Sequence, residues 1–266
     1  MRSNISTSSR QDGERMLATI TGFIQQKVQD RSVLIGLSGG IDSSLSCALA
    51  VRALGRGRVK SLIVKNMQYT EKHLAVARRY TKRLGVEVIE INTDPVRNAV
   101  LNHIPFVGEG LREVATVDAR ITDLVLRTAA SCLNLIYLGS INGTERLTGW
   151  YPKGALFGDY CPIGGLLKTQ VKQLAYRLDL PAQIIETVSE DAGHICSGCG
   201  ELPEFRGIAY ADLDKILLAH ETGNIARVIT EIPDVTIKMV LKRIEAVGHK
   251  ERVFCEYPVI NEKVAV

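Results

Sequence analysis

Gly36-Leu37-Ser38-Gly39-Gly40-Ile41-Asp42-Ser43-Ser44 is the stretch from which the rest of this chain can be read. Ser32 to Leu37 is a short apolar run, and Ser43 to Leu54 is rich in Ala and Leu and closes at Gly55. The segment therefore bends from a buried strand into a helix. Two adjacent glycines let the backbone turn tightly and approach an anion, while helix-start N–H groups and the hydroxyls of Ser38, Ser43 and Ser44 supply donors. In outline the bend is a phosphate site. It lacks the Gly-Lys-Ser/Thr ending of a Walker loop, and its glycine spacing does not match the dinucleotide fingerprint. A carboxylate inside an anion site calls for a cation, which makes Asp42 a natural Mg²⁺ ligand bridging to phosphate oxygens.

Working outward, Leu17, Ile20, Ile24 and Val28 follow helical spacing between Asp12 and Val28. Val59 to Val64 reads as a second strand, Glu71 to Leu84 as a helix stopping at Gly85, and Val86 to Ile91 as a third strand. This β-α-β-α-β order predicts an α/β fold with a doubly wound, mostly parallel sheet, whose ligands sit beyond the carboxyl ends of the strands. A long helix from Leu111 to Leu133 leads to a strand at Leu135 to Leu138. Residues 140–166 read as loop, and Leu167 to Leu178 as a helix ended by Pro181. Helices at Tyr210 to His220, Ile225 to Thr230 and Val235 to Ala246 form a C-terminal helical cap over residues 208–250. The whole of 1–266 is expected to be one domain, with 1–11 flexible.

Composition fits this outline. At 266 residues, 45% hydrophobic and 23% charged, the chain can bury a full core without staples. A net charge of +4 is too small to argue for nucleic acid, and no apolar run is long enough for a membrane span. The Ser-rich start lacks the apolar stretch of a signal peptide, so a cytoplasmic location is expected. Six cysteines, at 47, 132, 161, 196, 199 and 255, then read as reduced thiols or metal ligands rather than a disulfide frame.

Ser38-Gly39-Gly40-Ile41-Asp42-Ser43-Ser44 resembles the signature loop of the N-type ATP pyrophosphatases (PP-loop enzymes), whose fold is adenine nucleotide alpha hydrolase-like. In that superfamily the loop holds the pyrophosphate that leaves when an oxygen attacks the α-phosphorus of ATP. From about residue 12 to about residue 260 the order of motifs is similar to the ammonia-dependent NAD synthetase family. Ala119-Arg120 resembles the family's Ala-Arg, and Gly139-Ser140-Ile141-Asn142-Gly143-Thr144-Glu145 its Gly-Thr-x-Asn-Lys-Ser-Glu. Leu147-Thr148-Gly149-Trp150-Tyr151-Pro152-Lys153 and Asp159-Tyr160-Cys161-Pro162-Ile163 follow in order, then Leu167-Lys168-Thr169-Gln170-Val171 and His249-Lys250.

The resemblance implies a ligase that adenylylates the nicotinate carboxylate of deamido-NAD and lets ammonia displace AMP. It implies that Gly36, Leu37, Ser38, Gly39, Gly40, Ile41, Asp42, Ser43, Ser140, Lys168 and Asp191 bind ATP, with Asp42 and Lys168 catalytic. Asp42 and Glu145 would hold Mg²⁺, while Arg120, Lys153, Asp159, His249 and Lys250 would bind the acid substrate. A homodimer is implied as well. The stretch ahead of the loop is too short for a glutaminase domain, so ammonia is expected to arrive unbound or from a partner.

Several positions depart from the family pattern. Thr122 and Gly143 stand where the family has Arg and Lys, and the run after Lys153 is shortened. Ser189-Glu190-Asp191-Ala192-Gly193 replaces a hydroxyl-bearing Pro-Ser/Thr-Ala motif, so either Ser189 takes that place or the Asp191 carboxylate faces the metal. Cys196-Ser197-Gly198-Cys199 has two readings. It is a pair of small loop residues, or it is half of a zinc or iron–sulfur site, with His194, Cys161 or Cys255 as further ligands. The second reading would suit a sulfur transferase. Amidation of another acid is the other alternative.

Overall fold

In a computed structural model the described residues are 7–66, 71–104, 111–186, 205 and 207–261. Four parallel strands make one sheet: β1 (Val33–Gly36), β2 (Val59–Lys65), β3 (Glu87–Asn92) and β4 (Ile136–Leu138). Their order is β3-β2-β1-β4. The chain winds outward from β1 through β2 to β3, then returns to place β4 on the other side of β1. The carboxyl ends of β1 and β4 thus flank the point where the winding direction reverses, and the loops that follow them are forced side by side.

Alternation along the strands sorts the core into two layers. Val33, Ile35 and Ile63 face α1 (Thr7–Val28), α2 (Ile41–Leu54), α3 (Glu71–Leu84) and, later in the chain, α7 (Lys168–Arg177). Leu34, Leu62, Val64 and Tyr137 face the opposite way, against Leu126 and Ala130 of α5 (Leu111–Cys132). Each fully buried Leu or Ile contributes about 1.5–3 kcal/mol. At the end of β1, Gly36 lets Leu126 pack against the backbone, since a Cβ there would lie 2.8 Å from Leu126 Cδ1 and force that side chain to shift.

Five further helices lie among the described residues: α4 (Asp94–His103), α6 (Gly143–Thr148), α8 (Ala182–Ile185) and the pair α9 (Tyr210–Glu221) and α10 (Asp234–Glu251). The pair packs around Leu213, Ile216, Leu217, Ile237, Val240 and Ile244, with Leu147 and Leu167 reaching in from beneath. This is the expected helical cap. An aromatic cluster of Tyr151, Phe157, Phe254 and Tyr257 seals the side of the molecule next to β4.

Two expectations need correction. Residues 140–166 are not all loop, since α6 lies inside them, with every residue from Gly143 to Thr148 buried. The expected helix from Ile225 to Thr230 is a single 3₁₀ turn, Ile225–Arg227. Helix α1 begins at Thr7, inside the stretch 1–11. Among the described residues no helix is long and apolar enough to cross a membrane.

Candidate active site

The bend between β1 and α2 holds its shape through its own hydroxyls. Ser38 Oγ accepts a hydrogen bond from Gly40 N at 3.2 Å, and Ser43 Oγ accepts from Ser38 N at 3.3 Å while donating to Gly40 O at 3.2 Å. Gly39 takes φ +87°, and a Cβ there would meet His73 O at 2.9 Å, so α3 packs too close for any other residue. No side chain caps α2 at Gly40. Its first backbone N–H groups have no intrahelical acceptor and point out of the bend, the arrangement that favours an anion. Ser38, Gly39 and Gly40 are half-buried rather than sealed.

Asp42, in the first turn of α2, projects toward the loop that follows β4. Its Oδ1 accepts from Asn142 Nδ2 at 3.0 Å, and its Oδ2 is paired with Lys168 Nζ at 2.5 Å. Asn142 is fully buried and caps α6 reciprocally: its Oδ1 accepts from Glu145 N at 2.9 Å, while its own N–H donates to Glu145 Oε2 at 3.0 Å. One asparagine therefore grips both carboxylates. Lys168 opens α7, and its ammonium, paired with Asp42, is near enough to Glu145 for its charge to be felt there, with its side chain 5% exposed.

The electrostatics of this cluster are unbalanced. Burial pushes the Glu145 carboxyl up to about 8, and the nearby Asp42 charge pushes the same way, while Lys168 and the Asn142 N–H oppose them only in part. Two carboxylates share one ammonium. A divalent cation would relieve that imbalance. Mg²⁺ is bound by one or two carboxylates, with phosphate oxygens and water completing its shell, so Asp42 and Glu145 fit it without a third acidic ligand. Among the described residues no group of three or more His, Cys, Asp or Glu is arranged for a metal.

The remaining expected site residues fall into separate places. Ser140 is half-buried on the loop after β4, beside the cluster. Arg120 and Lys153 are both exposed and adjacent, Arg120 Nη2 donating to Lys153 O at 3.3 Å. Asp159 is bound to the free edge of β4: its N–H donates to Tyr137 O at 2.7 Å, its Oδ2 accepts from Tyr137 N at 2.9 Å, and Arg127 lies 3.7 Å from Oδ1. His249 is exposed in the last turn of α10. Lys250 is turned inward, donating to Gly149 O at 2.7 Å and Tyr151 O at 2.8 Å, which fixes the backbone leading to Lys153.

Ser189, Asp191, His194, Cys196 and Cys199 lie outside the described residues. Of their suggested metal partners, Cys161 donates through Sγ to Ile141 O and Cys255 through Sγ to Phe157 O, both at 3.1 Å. Burial holds the Cys161 thiol well above its ordinary range, so it is an inert packing group.

Three site residues were not singled out from the sequence: Asn142, Thr144 and Asp214. The first could have been, because Asn142 precedes Glu145 at the spacing of a capping box. Thr144 Oγ donates to Asp214 Oδ1 at 2.6 Å and accepts from Lys168 N at 2.9 Å, while Asp214 Oδ2 accepts from Thr169 N at 2.7 Å. Nothing local to Asp214 signals this.

Comparisons with known proteins identify the family. A family model described as NAD synthase matches residues 16–253. The chain is 36% identical over 216 residues to an NH₃-dependent NAD⁺ synthetase of Pyrobaculum aerophilum, covering 78% of each chain. It is 32% identical over 246 residues to the enzyme of the same description from Methanocaldococcus jannaschii, covering 89% of this chain and 94% of that one. Among solved structures, an NH₃-dependent NAD synthetase from Campylobacter jejuni superposes with a TM-score of 0.75 at 25% identity, covering 90% of this chain and 96% of that one. An NMN synthetase from Francisella tularensis shares the fold, with a TM-score of 0.73 at 21% identity and 98% of each chain covered. With the bend, the paired carboxylates and the lysine in place, and a match spanning most of its length, this chain belongs to the NAD synthase family.

Proposed function

We propose that this chain is an ATP-dependent, amide-forming ligase that converts the nicotinate carboxylate of deamido-NAD to the amide of NAD, with ammonia as the nitrogen donor. Its relatives carry the name of that activity. The observation that carries the reading is the meeting of Asp42, Glu145 and Lys168, from three separate segments, at the carboxyl ends of β1 and β4.

The residues support the following sequence of events. The bend from Ser38 to Ser43 and the N-terminus of α2 receive the terminal phosphates of ATP, and Lys168 offsets their charge. Asp42 and Glu145 would hold Mg²⁺, which supplies further charge neutralisation on the phosphate oxygens. The substrate carboxylate attacks the α-phosphorus, forming the acyl adenylate and releasing pyrophosphate. Ammonia then attacks the acyl carbon and AMP leaves. The protein supplies in-line positioning and charge stabilisation, with no covalent enzyme intermediate.

Arg120 and Lys153, adjacent and exposed, are the cations that would meet the dinucleotide phosphates. Recognition by Asp159, His249 and Lys250, ATP contact by Asp191, a homodimer and a cytoplasmic location belong to the same proposal and rest on the resemblance. The relatives do not favour the sulfur-transfer alternative at Cys196 and Cys199. Purified protein incubated with deamido-NAD, ATP, Mg²⁺ and ammonium should yield NAD, AMP and pyrophosphate. No NAD above a heat-killed control would sink the assignment.

A further inference from the structure

Lys168 sits at a helix start, where backbone N–H groups commonly receive a phosphate. At α7 that role is already taken from within the protein. The N–H of Lys168 donates to Thr144 Oγ and the N–H of Thr169 to Asp214 Oδ2. Asp214 belongs to α9, in the helical cap, and is 3% exposed. It stands 70 residues from Thr144 and 45 from Thr169 in the chain, yet it touches both.

The direction of these bonds is fixed by chemistry. A threonine hydroxyl has one proton to give. Thr144 gives it to Asp214 Oδ1 at 2.6 Å, which leaves its lone pairs facing Lys168 N. The carboxylate thus orients the hydroxyl, and the hydroxyl and the other carboxylate oxygen hold the first turn of α7. Thr144 is also the neighbour of Glu145 on α6. The link therefore sets the spacing between the two segments that carry the site's ammonium and one of its carboxylates.

We propose that Asp214 is a positioning residue for Lys168, through which the helical cap fixes where the ammonium stands relative to Asp42 and Glu145 and so governs affinity for the nucleotide triphosphate. This rests on the ATP-dependent reading above. A cap helix whose only task was to cover apolar surface would not need a buried carboxylate at this point. It would be served by the apolar contacts of Leu213, Ile216 and Leu217 alone.

The test is calorimetric binding of ATP with Mg²⁺ to the full chain and to Asp214→Asn, Thr144→Val and Thr144→Ser, paired with KM for ATP and for the acid. Asp214→Asn replaces a carboxylate that accepts bonds from Thr144 and Thr169, and Thr144→Val keeps the shape but removes the hydroxyl. Each should weaken ATP about tenfold or more while shifting KM for the acid less than about twofold, and Thr144→Ser should restore wild-type affinity. If Asp214→Asn fails to fold, Thr144→Val decides the matter alone. Wild-type ATP affinity per folded molecule in Thr144→Val, or equal losses for ATP and acid, would overturn the inference. Wild-type protein that binds no ATP would overturn the reading on which it rests. Binding in the wild type with unaltered variants would overturn this inference only.

Discussion

Glu145 and Arg146 are consecutive residues of one short helix, and both are buried, but the charge clusters they build are opposites. Arg146, 2% exposed, donates to Glu221 and Glu251, gives its Nε to Gly164 O at 2.9 Å, and lays its guanidinium 4.4 Å from the centre of the Tyr257 ring. Its fork of donors is matched by acceptors from α9, α10 and the loop before α7. Glu145 instead faces another carboxylate, with a lysine shared between them. The first cluster is complete within the protein and ties the cap to the sheet. The second leaves two acids to one ammonium, an imbalance that a bound cation would relieve. A buried charge group that is satisfied by its own fold is architecture, and one left in mutual repulsion marks a place for a ligand.

The sharpest way to break this contrast is to change one residue on each side. Asp42→Asn should leave a folded protein whose kcat falls about 10³-fold, the order of effect seen when one preorganised charge-stabilising group is lost. Steady-state kinetics beside a far-UV circular dichroism spectrum checks it, and near-normal turnover would remove Asp42 from the machinery. Arg146→Met should do the reverse. It leaves Glu221 and Glu251 without their partner and should lower unfolding free energy by about 3 kcal/mol. That is the low end for breaking a buried pair, because the Glu251 side chain is 41% exposed. Denaturant titration measures this, and a stability within error of wild type would deny the cluster its structural role.

A gentler probe uses pH. Because the fold raises the Glu145 carboxyl, the native state binds its proton more tightly than the unfolded chain does. Stability from this group is therefore full below the ordinary carboxylate range and is lost as pH rises toward about 8. In metal-free buffer, unfolding free energy should decline steadily across that window. Mg²⁺ should reverse the decline and Glu145→Gln should flatten it. A metal-free profile that rises with pH would contradict the crowding of the two acids. The smallest effect is expected at Lys250→Met, which loses the contacts to Gly149 O and Tyr151 O and should cost about 1–2 kcal/mol. A thermal melt suffices to read it, and an unchanged midpoint would deny these contacts a structural role.

Much of the fold was legible because its signals are local. Four β-branched or apolar runs gave four strands, and Gly55 and Gly85 marked where α2 and α3 stop. Helix α6 escaped for a physical reason. All six of its residues are buried, so no polar face alternates with an apolar one, and periodicity has nothing to register. Helix α4, Asp94–His103, was likewise not assigned: none of its residues is fully buried, and it carries a weak apolar stripe. The stretch after Asn224 shows the opposite error, since apolar residues at helical spacing made only one 3₁₀ turn before Pro233 intervened.

The sequence by itself determined the bend, its two glycines, the acid within it and the order of motifs that assigns the chain to its family, because each of these is written in residues that are neighbours along the backbone. Tertiary structure alone decided that Asn142 would grip both carboxylates, that Lys250 would turn inward, and that a carboxylate in the cap would hold the start of α7. Those choices depend on which loops the reversal of winding beside β1 brings together, and on burial, which makes an interaction between segments far apart in sequence strong enough to matter.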